Sequence, residues 1–147
     1  MSVRENIEVA RLASPDANKR LGTAAIEELI QLTGLDELRN RRAGELDYGN
    51  ARRLELARAA AANPSFLLLD EPTSGMSDHE SEAMIHQVRS VASLIGAGVV
   101  VIDHDLNFIT GICDRVYVLD QGRLISTGSP EEISRDEKVR VAYLGSS

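Results

Sequence analysis

The stretch FLLLDEPTSGM, residues 66–76, decides the fold. Phe66 to Leu69 is an apolar run of strand length. It ends in two acids, Asp70 and Glu71, and then a turn containing Pro72 and Gly75. A continuous apolar run bounded by turn formers reads as a strand of a parallel sheet, buried on both faces. Downstream, Ser77 with Glu80 three residues later opens a helix from Asp78 to about Ile95. Its Met84, Ile85, Val88, Val91, Ala92 and Ile95 form one stripe at helical spacing. "GVVVID" follows as a second buried strand ending at His104. Strand, helix and strand in that order predict an α/β fold with parallel strands alternating with helices. "DRVYVLD" and "RLISTG", joined by a turn at Gln121 and Gly122, read as a short strand pair, and Ser129, Pro130 and Glu132 start the closing helices.

Upstream the periodicity is different. Residues 1 to about 62 read as helix throughout, a helical subdomain ahead of an α/β part covering residues 63–147. Ser2 with Glu5 matches a capping box, and Ser14 before Pro15 predicts a second helix start. Ile26, Leu29, Ile30 and Leu32 share one side of a helix that Gly34 ends.

Composition narrows the classes. At 147 residues with 43% hydrophobic content, the chain has the makings of one ordinary core. A net charge of −7 and a sequence pI near 5.0 argue against nucleic acid as a partner. The single cysteine, Cys113, has no partner for a disulfide or a CxxC zinc site and is expected to be a small buried residue. No apolar run reaches the ~18 residues of a membrane span, and "MSVRENIEVA" carries charges where a signal peptide needs apolar residues.

Open α/β sheets bind ligands at the carboxyl ends of their strands. Asp70 there could hold Mg²⁺ while Glu71 orients and deprotonates a water, with His104 steadying a phosphate from the neighbouring strand. Each residue alone also fits a plainer role, as a turn former or a structural histidine. A second candidate is "LDYGN", residues 46–50, which runs into an arginine-rich helix. Asp47 and Asn50 can cap that helix. A glycine-containing turn at a helix N-terminus can also aim N–H groups and the dipole at an anion.

Taken together and in this order, these segments resemble the C-terminal part of an ATP-binding cassette (ABC) transporter nucleotide-binding domain, a P-loop NTPase fold, over essentially the whole chain. Leu46, Asp47, Tyr48, Gly49 and Asn50 stand at the family's LSGGQ-type signature, which closes over ATP held by the opposite subunit. Phe66 to Glu71 matches the Walker B strand, implying Asp70 for Mg²⁺ and Glu71 as catalytic base. Ser74, Gly75, Met76 and Ser77 occupy the D-loop, and His104 matches the switch histidine at the γ-phosphate. The signature tyrosine, "ICDRVYVLDQGRLISTGSPEEI" and the ending "VAYLG" look most like ATPases of branched-chain amino acid importers, and lipopolysaccharide-export ATPases are similar. Asp47 departs from the pattern, because the family usually has Ser or another small neutral residue there. A carboxylate cannot donate to a phosphate oxygen as a hydroxyl can. Asp47 is therefore expected to turn away and cap the helix, or else to weaken the site. Gly49 and the N–H groups near Asn50 would then make the phosphate contact.

The family's Walker A loop, G-x-x-x-x-G-K-[ST], has no counterpart, since Lys19 and Lys138 are the only lysines and neither follows a glycine. "MSVRENI" resembles the segment just after the Q-loop, which would place Met1 in mid-domain with the Walker A lobe missing. The resemblance implies an ATPase subunit using ATP and Mg²⁺, cytoplasmic and peripheral on the inner face of the cell membrane. Its implied partners are a second ATPase subunit in a homo- or heterodimer, integral membrane permease subunits and a solute-binding protein. By itself the chain is expected to be inactive. The competing expectation is a non-catalytic interaction module docking on a permease or a partner cassette. A soluble ABC ATPase of translation or DNA repair fits less well, for want of a basic tail, a second cassette or a coiled-coil insertion.

Overall fold

The computed structural model describes residues 1–14 and 16–144. Three helices come first: α1 (Val3–Arg11), α2 (Thr23–Leu32) and α3 (Tyr48–Ala61). Then follow β1 (Phe66–Asp70), α4 (Asp78–Ile95), β2 (Gly98–Ile102), α5 (Leu106–Ile112), β3 (Val116–Asp120), β4 (Arg123–Gly128), α6 (Pro130–Arg135) and α7 (Glu137–Leu144). β1 and β2 pair in parallel, with Leu68 opposite Val100 and Asp70 opposite Ile102. β3 and β4 form a separate antiparallel hairpin. Its turn places Gln121 at φ 46° and Gly122 at φ 77°, the two left-handed residues that a tight two-residue hairpin turn requires.

The local start signals are formed as expected. Ser2–Glu5, Ser77–Glu80 and Ser129–Glu132 are all reciprocal capping boxes, so each helix start uses its own side chains to satisfy free N–H groups. Gly34 lies just past α2 with φ 68°, in the left-handed conformation that closes a helix.

Four expectations need correction. Residues 1–62 are not helical throughout, because 3₁₀ turns and extended segments separate α1, α2 and α3. One of these segments is held by long-range backbone bonds, with Val3 N–H donating to Arg41 at 2.9 Å and Ala43 N–H to Met1 at 3.1 Å. Ser14 does not cap an α-helix, since its hydroxyl donates to the Asp16 carbonyl and Asp16 instead caps the 3₁₀ turn Ala17–Lys19. The Pro15 part of that expectation, and Gly145 of "VAYLG", lie outside the described residues. Neither β1 nor β2 is buried on both faces. Leu67 is buried and Leu69, Val99 and Val101 are half-buried on one side, whereas Phe66, Leu68, Val100 and Ile102 are exposed on the other. Cys113 is half-buried, packed beside the core at the end of α5.

The main core runs from α1 to α5. Val3, Ile7, Ile26, Leu29 and Ile30 meet Leu54, Leu67, Met84, Val88 and Phe108 in one cluster. Burying such side chains contributes roughly 1.5–3 kcal/mol each. A smaller cluster of Ile109, Val116, Val118, Ile133 and Val139 ties the hairpin to the closing helices. No helix among the described residues is long and apolar enough to cross a membrane.

Candidate functional site

Asp70 is the last residue of β1 and its side chain is exposed. Glu71 then turns sharply, at φ 44°, a left-handed backbone that costs a non-glycine residue about 1–2 kcal/mol. Its N–H donates to the Ile102 carbonyl at 2.7 Å and its carbonyl accepts from Ser74 N–H at 3.2 Å, which together hold the strained turn. The Glu71 backbone is thereby fixed at the strand ends, next to the end of β2, with the side chain exposed. His104 lies two residues beyond Ile102 rather than at the end of the strand, and its side chain is 70% exposed.

Between Ile102 and His104 stands a residue that sequence reasoning missed. The Asp103 side chain is 0% exposed. It accepts from the Thr73 hydroxyl at 2.8 Å, the His104 N–H at 2.7 Å and the Asp105 N–H at 3.0 Å. Its Oδ1 is also 3.6 Å from His104 Nδ1. Asp105 in turn caps α5 and accepts from the buried Ser81 hydroxyl of α4 at 3.0 Å. The only sequence signal was the pair of acids flanking His104 in "IDHD".

The 46–50 turn is a helix cap. Asp47 accepts from Asn50 N–H at 2.8 Å with one carboxylate oxygen and from the Asn50 side-chain amide at 2.8 Å with the other. The bond from the Asn50 backbone, followed by the one from its side chain, holds the Asp47 carboxyl below the usual range. This corrects one expectation: the Asn50 N–H is engaged by Asp47 and is not free for a phosphate. Leu46 is half-buried against the main core and anchors the turn. The Tyr48 hydroxyl accepts from Arg52 at 2.9 and 3.1 Å, and the Arg52 guanidinium sits 5.1 Å from the ring centroid.

One contact joins this turn to the segment Ser74, Gly75, Met76 and Ser77, and a second joins it to the first turn of α4. The Tyr48 ring lies against Gly75, where a Cβ would come 3.3 Å from Cε1, and Gly75 itself has φ 77°. A Cβ on Gly49 would come 3.1 Å from a carboxylate oxygen of Glu80. Hydrogen bonds from the Ser77 backbone and hydroxyl lower the Glu80 carboxyl, and the nearby Asp47 charge opposes that shift. Met76 packs half-buried against the main core, and Ser77 caps α4. The expected site residues thus form two neighbouring groups, one at the strand ends and one at the 46–50 turn, with residues 71–77 between them.

No group of three or more His, Cys, Asp or Glu suited to a metal occurs among the described residues. Mg²⁺ ordinarily takes one or two carboxylates, with water and substrate phosphates completing its shell. The single exposed carboxylate of Asp70 at a strand end fits that kind of site and not an all-protein cage.

The family model described as "ABC transporter" matches residues 1–74. The chain belongs to the ABC transporter family. A second ABC model, "Branched-chain amino acid ATP-binding cassette transporter", matches residues 123–147. The lipopolysaccharide export system ATP-binding protein LptB of Haemophilus influenzae is 34% identical over 145 residues, covering 99% of this chain and 60% of that protein. The high-affinity branched-chain amino acid transport ATP-binding protein LivG of Salmonella typhimurium is 34% identical over 159 residues, covering 99% of this chain and 62% of its own length. Among solved structures, the ADP conformation of MJ1267, an ATP-binding cassette of an ABC transporter, superposes with a TM-score of 0.76 at 24% identity. That match covers 99% of this chain and 63% of the other. The fold is that of an ABC cassette, and the chain spans about 60% of the length of these curated relatives.

Proposed function

We propose that this chain is the signature- and Walker B-bearing part of an ABC transporter ATPase, working in a dimer of cassettes that drives a membrane permease. One observation carries the reading: the 46–50 turn, the 71–77 loop and the His104 loop adjoin through specific contacts within an ABC-type fold. Residues 1–62 would serve as the helical subdomain and 63–147 as part of the ATPase core. An interaction module alone would not need a strained, exposed carboxylate such as Glu71 at the strand ends.

In this reading Asp70 holds Mg²⁺, which when bound neutralises charge on the phosphates. Glu71 orients the attacking water and takes its proton, and the backbone bonds to Ile102 and Ser74 fix the main chain that carries it. His104, exposed at the mouth of a cleft of about 580 Å³ between β2, α5 and β3, donates to the terminal phosphate. The 46–50 turn closes over a nucleotide held by the opposite subunit. With the Asn50 N–H taken by Asp47, the Tyr48 and Gly49 N–H groups of the first helical turn are the donors for that contact. Two acids, Asp47 and Glu80, border this turn, so its hold on a phosphate is weaker than that of a neutral signature. The subunit would be cytoplasmic and peripheral to the membrane. Branched-chain amino acids are the favoured cargo, because the model matching residues 123–147 is described as that of a branched-chain amino acid ATP-binding cassette transporter. Lipopolysaccharide export is the second reading, on the LptB similarity.

The test is to mix the chain with a polypeptide bearing a Walker A lobe of this family and measure ATP hydrolysis with Mg²⁺. Hydrolysis that falls at least ~100-fold with Glu71→Gln supports the proposal. Hydrolysis unaffected by that substitution, or none with any such lobe, favours the interaction module.

A further inference from the structure

We infer that Asp103 is a positioning residue that locks His104 and the 71–77 loop into one moving unit. Its carboxylate is wholly buried, yet it is surrounded by donors from two segments thirty residues apart in sequence. The Thr73 hydroxyl, itself on a residue only 7% exposed, reaches it from the loop after β1. The N–H groups of His104 and Asp105 reach it from the loop after β2. An ionised carboxylate offers about four acceptor positions, and here it meets the Thr73 hydroxyl, the Thr73 N–H at a long 3.5 Å and the N–H groups of His104 and Asp105.

The energetic consequence follows from burial. A buried carboxylate that loses a donor is left partly unsatisfied, a much larger cost than the same loss at the surface. Shifting the 71–77 loop without the His104 loop breaks the Thr73 bond, and shifting the His104 loop alone breaks the same bond from the other side. The cheapest displacement moves both together. Asp105 adds an anchor on the far side, since its bond to Ser81 ties the same loop to α4. His104 contributes one backbone N–H and a mostly exposed ring whose Nδ1 is 3.6 Å from the same carboxylate, so Asp103 is what fixes its position. The inference rests on the proposed function only for what the coupled loops would touch.

Amide hydrogen exchange by NMR on the 147-residue chain tests this without nucleotide, so a failed ATPase reconstitution and a failed coupling are separate results. Thr73→Val, nearly isosteric but without the hydroxyl, is expected to speed exchange about tenfold or more at His104 and Asp105 as well as at Ser74. That is the size set by losing a hydrogen bond to a charged acceptor. Thr73→Ser, which keeps the hydroxyl, is expected to restore the slow rates. Unchanged exchange at His104 and Asp105 in Thr73→Val overturns the inference, as does a Thr73→Ser that exchanges as fast as Thr73→Val. If Thr73→Val does not fold, native-state exchange of the unmodified chain in rising low urea decides. One unit requires Ser74, His104 and Asp105 to share one opening free energy and one urea dependence, and different values refute it.

Discussion

Asp47 shows how much one side chain decides at this site. Both of its carboxylate oxygens are engaged by Asn50, first by the backbone N–H and then by the side-chain amide, and this holds its pKa below the ordinary aspartate value. A carboxyl depressed on folding stabilises the protein above its unfolded value and loses that contribution as pH falls through the lower folded value. Glu5, Glu80 and Asp136 are lowered too, by bonds from Ser2, Ser77 and Ser126 respectively. Stability is therefore expected to be flat from neutral pH to roughly pH 5 as far as these groups are concerned, and to fall below the ordinary carboxylate range near pH 4. Thermal unfolding followed by circular dichroism at pH 7, 5 and 3.5 measures this. Asp47→Ser keeps an oxygen to cap α3, so its midpoint at pH 7 should stay close to that of the unmodified chain while its loss at pH 3.5 becomes smaller. In a reconstituted cassette the same substitution removes an acid from beside the phosphate contact and should raise ATPase turnover several-fold. A fall in turnover would show that the carboxylate assists the contact.

Among the elements, α4 and α5 pack closely enough to show why some of the structure was readable and some was not. A Cβ on Gly111 of α5 would lie 2.7 Å from Ile85 Cδ1 and 3.3 Å from both Cγ atoms of that side chain. Ile85 is β-branched and stiff, so the whole side chain must move. Gly111→Ala would gain up to ~1 kcal/mol of helix propensity, but overpacking of this kind costs about 1–3 kcal/mol. A net loss of about 1 kcal/mol in urea unfolding is the expected outcome, and a gain would mean that the two helices can separate freely. Nothing in the sequence around Gly111 announced this contact, because it depends on how two helices meet. The capping boxes at Ser2, Ser77 and Ser129 were legible for the opposite reason, since each joins residues three apart. The segments between α1, α2 and α3 were only partly legible. Pro15, Gly22, Gly34 and Gly44 marked where helices could stop, but the extended path between them rests on bonds such as Val3 N–H to Arg41, which link residues far apart in the chain. Asp70, Glu71 and His104 could be placed near strand ends from the apolar runs alone. The Asp103–Thr73 bond could not, because it exists only once β1 and β2 are paired in register.

For the molecule as a whole, the open face of the β1–β2 sheet is the feature with the largest consequence in solution. Phe66, Leu68, Val100 and Ile102 are 63%, 80%, 47% and 66% exposed and stand side by side, since Leu68 pairs with Val100 and Ile102 with Asp70. The sequence run suggested strands covered on both faces, but an apolar run alone does not reveal how many neighbours cover it. A contiguous apolar face beside strand edges unpaired among the described residues favours association with other apolar surfaces, including a second copy. The net charge of −7 opposes self-association by repulsion, so charge and apolar area act in opposite directions. Two substitutions at one position separate them. Leu68→Lys brings the net charge from −7 to −6, whereas Leu68→Glu takes it to −8, and both place a charge in the middle of the exposed face. Because Leu68 is mostly exposed, either change should shift folding stability by no more than about 0.5 kcal/mol. In sedimentation velocity over a concentration series, the unmodified chain should move toward larger species, and both variants should stay monomeric to concentrations several-fold higher. Suppression by Glu together with stronger association by Lys would instead assign the behaviour to net charge.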